Sequence, residues 1–476
     1  MNLYAAFAEA WGQALERPAL IDAAGAGPDF SELDLLAACF VAALKARGVK
    51  RGDRVVAQIG KSVEAVALYL GCLRMGAIFV PLNTAYTVSE VAYFVEDSEP
   101  ALFVSDDVIA SLRAEAEAAQ PDPEIAEMAA DEIAAILYTS GTTGRSKGAM
   151  LSHGNLLSNA RALNALWGIS GGDVLIHALP VFHVHGLFIA LNSMFLSAAT
   201  SLFLARFDPV EVRTLMPRAT ILMGVPTFYT RLLADPEFGR GTLGTMRLFI
   251  SGSAPLLAET HRAFEARTGQ RILERYGMTE AGVIASNPLD GDRIAGTVGF
   301  PLTGVELRVA NEAGTALPTG ETGTVEIRGP GVFGGYWRNP DKTAEDIRAD
   351  GWFITGDVGT VDGEGRLTIA GRAKDLIIAG GYNIYPKEIE SVIDAVPGVT
   401  ESAVIGVAHP DMGEGVVAVI AGNAESEVAI RAAVERELAR FKHPRAYIFV
   451  VDLPRNAMGK VQKAGLRETY RDVLGG

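Results

Sequence analysis

Over the first 250 residues, short apolar runs alternate with stretches whose apolar positions recur every three to four residues. Val55, Val56 and Ala57 read as a strand, Val63, Val66, Leu70 and Leu73 fall on one face of a helix, and residues 77–80 are apolar again. That order predicts a βαβ unit. Similar runs at 101–104, 133–137, 174–176, 220–223 and 247–250 are continuous rather than alternating. Strands covered on both faces read this way, so doubly wound parallel sheets are expected. The Ala/Glu-rich segment 112–131, with Pro121 and Pro123, reads as a surface connection.

The texture changes between 300 and 371, where Gly304, Gly314, Gly323, Gly329, Gly351, Gly356 and Gly365 punctuate short β-like pieces. A small β-barrel or distorted sheet is expected there. After Arg372 come an apolar strand at 376–378, a helix at 386–395, strands near Val404 and Val416, a helix at 428–438 and a strand near Tyr447. That is enough for a separate α+β domain. The fold class is therefore α/β: a large N-terminal domain of two doubly wound sheets plus a small β-barrel, then a small α+β C-terminal domain.

Charge and cysteine usage narrow the function classes. With 42 Lys+Arg against 57 Asp+Glu, the formal net charge is −15, which argues against a nucleic-acid or anionic-membrane binder. A content of 49% hydrophobic and 21% charged residues supports a packed core rather than bulk disorder. Cys39 and Cys72 are the only cysteines, so a disulfide framework and a Cys-based metal site are both excluded and a reducing compartment is expected. The N-terminus lacks a basic start and sustained apolar run, and the apolar stretch 63–82 is broken by Arg74 and Pro81. A cytoplasmic location is the expectation.

The strongest local motif follows the apolar run 133–137 and reads Tyr138-Thr-Ser-Gly-Thr-Thr-Gly-Arg-Ser-Lys-Gly148. Thr139, Ser140, Gly141, Thr142, Thr143 and Gly144 offer backbone N–H groups and hydroxyls to phosphate oxygens, and Lys147 adds charge. It is not a Walker A loop, because Gly144 stands three residues before Lys147 and Gly148 follows the lysine. An ordinary Gly/Ser/Thr turn is the plainer alternative, disfavoured by the length of the run and the buried strand before it.

This loop resembles the phosphate loop of the adenylate-forming superfamily of acyl-CoA synthetases, adenylation domains and luciferases. Further segments are similar to that family's signatures, in order, over most of the chain. Tyr276-Gly277-Met278-Thr279-Glu280 resembles the second nucleotide motif, with Glu274 just before it. The resemblance implies Tyr276 against adenine, Thr279 on the α-phosphate and Glu280 helping to hold Mg²⁺. Ser251-Gly252-Ser253-Ala254 is similar to the segment on the adenine side, Asp357 to the aspartate that accepts both ribose hydroxyls, and Arg372 to the arginine that also meets the ribose.

Lys460, within 454–463, resembles the family's catalytic lysine. A cation bridging the attacking carboxylate and the α-phosphate would stabilise charge that grows in the transition state. In the family the small domain then swings, which implies domains at 1–373 and 374–476, a mobile C-terminal domain, a hinge at Lys374, and a CoA tunnel lined by Gly380, Gly381 and Tyr382. ATP and CoA are the implied co-substrates. Lys460 also resembles lysines acetylated in related synthetases, which implies a protein lysine acetyltransferase as a partner.

The segment containing His183 and His185 matches one wall of the family's acyl pocket; His183 is expected in the catalytic group as a gate or hydrogen-bonding residue, and packing is the plainer reading. Arg231 and Arg275 stand where a pocket for a plain fatty acid would be apolar. A buried second carboxylate on the substrate must be paired, and arginine does this with two parallel hydrogen bonds. Residues 136–153, 224–233 and 274–280 are similar to malonyl-CoA synthetases, in which such arginines clamp the distal carboxylate, with Ser251 and His185 beside them and Arg293 a weaker third candidate. The stretch Ala281-Gly-Val-Ile-Ala-Ser286 departs from that group's pattern, so methylmalonate stands beside malonate. A monocarboxylic acyl-CoA synthetase, an enzyme that loads a carrier-protein thiol and a non-catalytic nucleotide sensor are the rival readings.

Overall fold

The computed structural model describes residues 1–139, 146–379, 382–409, 412–456 and 459–475. Ser140, Gly141, Thr142, Thr143, Gly144, Gly380 and Gly381 lie outside the described residues. The fold is α/β, with a large N-terminal part and a smaller α+β unit after it. A five-stranded sheet takes the order Leu102–Val104, Arg54–Ala57, Ile78–Pro81, Ile133–Thr139, Lys147–Ser152 and is parallel except for its last pair.

An eight-stranded sheet follows, in the order Leu20–Ile21, Thr200–Phe203, Val174–His177, Ile221–Gly224, Leu248–Ser251, Leu273–Met278, Gly282–Ser286, Phe300–Pro301. It is parallel as far as Leu273–Met278 and antiparallel beyond. Both sheets are covered on their two faces, which is why Val55, Val56, Leu222 and Ile250 are fully buried without any alternation in the sequence.

The helix Val63–Met75 shows how the chain fills the space between sheets. Ser62 caps its start by accepting from Ala65 N, and Gly76, in the left-handed region at φ +75°, ends it. Every residue from Ala65 to Met75 is buried, so this apolar stretch is a core helix. Arg74 is tolerated inside because its guanidinium meets Asp34 at 2.9 Å, Tyr4, and the backbone carbonyls of 122–124. Among the described residues no helix is long and apolar enough to cross a membrane.

Residues 306–372 form a four-stranded antiparallel sheet, Glu306–Ala310, Gly323–Arg328, Phe353–Val361 and Leu367–Arg372. This is the distorted-sheet form of the expectation; its strand order is linear. Residues 377–450 build the last sheet around the pair Val399–His409 and Gly413–Gly422, covered by the helices Pro386–Asp394 and Glu427–Glu437. One segment differs from the sequence reading. Residues 112–118 belong to the helix Asp106–Ala118, capped by Ser105, which buries Leu112 and Ala116. The irregular connection begins only after it.

Candidate active site

The C-terminal ends of the parallel strands of the eight-stranded sheet open onto a cleft, the position where open α/β sheets bind ligands. The four-stranded sheet borders it through the bridge Gly299 to Leu367. Asp357 and Arg372 are cross-strand partners in that sheet. Asp357 is buried, its Oδ1 accepts from Arg372 Nε at 2.8 Å, and Tyr276 donates its hydroxyl to Oδ2. Thr355 steadies it, accepting from Asp357 N at 3.1 Å and donating to Val325 O at 2.8 Å. Burial raises the Asp357 carboxyl, and the Arg372 charge opposes that rise.

Glu280 sits in the tight turn between Leu273–Met278 and Gly282–Ser286. Gly277 permits that turn, since a β-carbon there would lie 2.1 Å from Gly282 O. The buried Glu280 Oε1 accepts from Tyr336 at 3.3 Å and Thr139 at 3.4 Å. Lys147 Nζ stands 5.4 Å from the Tyr336 ring centroid, which brings the start of the strand Lys147–Ser152 to the same spot. Thr279 is half-buried beside Glu280. Among the described residues no group of three or more His, Cys, Asp or Glu could hold a metal. A single buried carboxylate nevertheless fits Mg²⁺, which takes one or two protein carboxylates and completes its shell with water and substrate phosphates.

The side that holds Arg275 is cationic and short of partners. Arg275 is 4% exposed, and its Nε and one terminal nitrogen have no hydrogen-bond partner. Among the described residues no carboxylate pairs with it. Burial lowers the Arg275 guanidinium to about 10, against the opposing Tyr229 phenol. Ser251 Oγ and His185 Nε2 are likewise buried without partners. His185 Nδ1 lies 3.1 Å from the hydroxyl of Ser253, whose φ of +71° is left-handed backbone that serine rarely adopts. His183 Nδ1 accepts from His185 N at 3.3 Å. Burial, then the charges of Lys460 and Arg275, lower His183 to about 3, so it is neutral near pH 7.

Lys460 enters this cleft on a hairpin closed by Asn456. Asn456 N donates to Lys460 O at 2.9 Å, and Asn456 Oδ1 accepts from Lys460 N at 3.0 Å. A β-carbon at Gly459 would lie 3.7 Å from Thr227 Oγ1, so the hairpin packs on the helix Pro226–Ala234. The Lys460 side chain is exposed; desolvation by neighbouring atoms and then Arg372 lower its ammonium, while Asp357 and Glu280 oppose. The pose thus brings Lys460 among Asp357, Glu280, His183 and Arg275.

Other candidate residues stand apart. Arg231 is exposed on the helix Pro226–Ala234, one turn beyond Thr227 on the same face, while Arg275 is buried. Arg293 commits its guanidinium to the carbonyls of Pro288, Leu289 and Arg271. Glu274 is buried with Oε1 accepting from Leu256 N at 3.2 Å, and burial lifts its carboxyl to about 7. Met278 packs on the apolar core that includes Leu137 and Ile284, and Ala254 is half-buried beside Ser253. Lys374 is exposed on the turn Ala373–Asp375, and Tyr382 is exposed with its ring stacked on Phe441. Tyr229 and Tyr336 went unread in the sequence: each makes its contact with a residue distant along the chain or buried in another strand, Tyr229 donating to Ile250 O at 2.5 Å.

A doubly wound α/β body, a docked C-terminal lysine and a buried aspartate–arginine pair fit a nucleotide-using enzyme of the adenylate-forming class. The chain belongs to the AMP-binding enzyme family, an adenylate-forming acyl-CoA ligase: the AMP-binding enzyme family matches residues 7–337 and the AMP-binding enzyme C-terminal domain matches residues 388–460. The crystal structure of ATP-bound MatB from Rhodopseudomonas palustris is 50% identical, covers 100% of both chains and superposes with a TM-score of 0.94. A feruloyl-CoA synthase of Amycolatopsis sp is 34% identical over 94% of each chain. A malonate–CoA ligase of Arabidopsis thaliana is 34% identical over 89% of this chain and 79% of its own.

Proposed function

We propose that the acid this ligase activates is a short dicarboxylate, malonate or methylmalonate, joined to CoA through an acyl-adenylate with release of AMP and pyrophosphate. The observation that carries this is Arg275: a buried guanidinium with two orphan nitrogens and, among the described residues, no protein carboxylate paired with it. An unpaired buried charge is costly, and a second carboxylate on the substrate would pair it. The monoacid reading requires a protein carboxylate as the partner, and among the described residues Arg275 has none. The name of the Arabidopsis relative agrees with a dicarboxylate; that of the feruloyl relative does not, so family membership alone does not choose the acid.

In this reading Asp357 and Arg372 hold the ribose, Tyr276 lies against adenine, and Thr279 and Lys147 meet phosphate oxygens. Glu280 would hold Mg²⁺, which supplies charge neutralisation on the phosphates when it arrives with ATP. Lys460 draws the attacking carboxylate and the α-phosphate together, two anions that would otherwise repel. The C-terminal unit, from about residue 374, then swings about Lys374 so that CoA reaches the acyl carbonyl. Ser251, His183 and His185 line the acid's seat, with Arg231 at its rim.

The test is CoA-dependent AMP release with MgATP across malonate, methylmalonate, succinate, acetate, propionate and a medium-chain fatty acid, repeated for Arg275→Ala. We expect malonate or methylmalonate to lead and the substitution to abolish that lead. A lead by acetate or the fatty acid, unchanged in Arg275→Ala, overturns the dicarboxylate reading and leaves the ligase class intact.

A further inference from the structure

Lys61 stands outside every segment considered so far, in the loop between the strand Arg54–Ala57 and the helix Val63–Met75. Its Nζ lies 2.8 Å from His177 Nδ1, 2.8 Å from His177 O and 4.4 Å from the Phe203 ring centroid. Among the described residues no carboxylate pairs with it. Lys61 is half-buried, and its ammonium meets a histidine and an aromatic ring where a lysine more often meets an acid or water.

The other side of His177 shows what the lysine holds. His177 is 1% exposed at the end of the strand Val174–His177, and its Nε2 lies 2.9 Å from Gly186 O. A carbonyl can only accept, so Nε2 carries the proton and the Nδ1 lone pair accepts from Lys61 Nζ. Gly186 is the second residue of a π-helical turn, His185–Leu191, an element that is rare and concentrates at functional sites. Gly186 itself is packed so closely that a β-carbon would lie 2.0 Å from Pro180 O. His185, on the same turn, faces Ser253 and donates its backbone N–H to His183.

Lys61 belongs to the five-stranded sheet's side of the molecule, and His177 to the eight-stranded sheet. The series Lys61, His177, Gly186 therefore links one sheet to the turn that carries the acyl-side histidines. We propose that Lys61 is a positioning residue for the acyl pocket: by occupying His177 Nδ1 it fixes the imidazole with its N–H on Gly186 O, and so holds His183 and His185 at the angle the acid substrate meets. This rests on reading the His183–His185 segment as the acyl wall. A displacement of about 1 Å in such a wall is enough to cost up to about a hundredfold in turnover.

The experiment compares Lys61→Met, which keeps the length and apolar packing of the stem but removes the donor, with the parent enzyme, measuring KM for the acid and for ATP separately beside thermal unfolding. The expected result is a rise of about tenfold in KM for the acid, with KM for ATP within about twofold. His177→Gln, whose amide can still donate to Gly186 O without the lysine, should make the Lys61→Met change silent when the two are combined. Unchanged KM for the acid in Lys61→Met overturns the proposal. So does a fall in Tm with both KM values moving together, which marks Lys61 as a packing element alone. If Lys61→Met does not fold, His177→Asn, which keeps the acceptor for Lys61 and loses the donor to Gly186, decides by the same split. Arg275→Met separates this from the reading it rests on: if that variant also leaves KM for the acid unmoved, the acyl-site assignment has failed, and if only Lys61→Met is silent, the positioning role alone has.

Discussion

Arg275 lies across Gly252 so closely that a β-carbon on Gly252 would stand 2.4 Å from Nε and 2.5 Å from Cζ of the guanidinium. Gly252 takes no left-handed backbone, so alanine is conformationally allowed there, and the obstacle is the movable end of a side chain. Gly252→Ala should therefore displace Arg275 rather than unfold the sheet. We expect the ratio of malonate to propionate turnover to fall by about tenfold, the scale of one lost charge-assisted contact. A ratio unchanged from the parent would mean that Arg275 does not read the acid.

Lys460 shares the cleft with Asp357, Glu280 and Arg275 only because its hairpin is docked on Thr227. If its cation acts in adenylation and leaves before thioester formation, the two half-reactions must respond differently to its removal. We expect Lys460→Ala to lower ATP–pyrophosphate exchange by about 10² to 10³, the cost of one oriented stabiliser of transition-state charge, while thioester formation from supplied acyl-adenylate changes by only a few fold. Acetylation of Lys460 removes the same cation and should give the same split. Equal losses in both half-reactions would count against the assignment.

Much of this architecture was legible in the chain because buried parallel strands write themselves as continuous apolar runs, and the signatures around Asp357 and Glu280 are local in sequence. What escaped is what depends on distance. Arg231 and Arg275 read alike as arginines in acyl-lining segments, yet one is exposed on a helix face and the other buried on a strand, a difference that no local pattern records. Lys61 and His177 are 116 residues apart and meet only because two sheets are stacked. The helix Asp106–Ala118 was obscured by its own composition: Ala and Glu read as a solvated connection, and the two prolines after it drew the boundary too early, although Ser105 was a readable cap.

The four-stranded sheet hides a charged triad. Glu326 is fully buried, with Arg308 Nη2 at 2.7 Å from one oxygen and Arg348 Nη2 at 2.6 Å from the other. Removing the acid leaves Arg348 with only the Glu312 carbonyl at 3.2 Å and Arg308 with only the more distant Asp350 carboxylate at 3.9 Å. We expect Glu326→Ala to destabilise the protein by about 3 to 5 kcal/mol, read as a lower denaturant midpoint with the slope unchanged. A loss under about 1 kcal/mol, the range of an exposed pair, would show that the arginines find other partners.

His153 sets part of the acid limit of stability. It is fully buried, its Nδ1 accepts from Leu3 N at 3.1 Å, and burial lowers it from 6.5 to about 4, with Glu132 opposing and the N-terminus and Arg51 adding to the fall. A folded-state value below the unfolded one means that the unfolded chain takes up the proton first as pH falls through 6.5. Stability should therefore be intact above that pH, decline between 6.5 and 4, and level off below. The linkage gives about 2 kcal/mol lost at pH 5 from this group. His153→Asn keeps an acceptor at the Nδ1 position and cannot titrate. The lowered His177, His183, His185 and His261 still contribute in that variant, so the slope should flatten without vanishing. Unfolding free energies measured at pH 7 and pH 5 for both proteins check this: an equal loss in the two would exclude His153 as a source of the acid sensitivity.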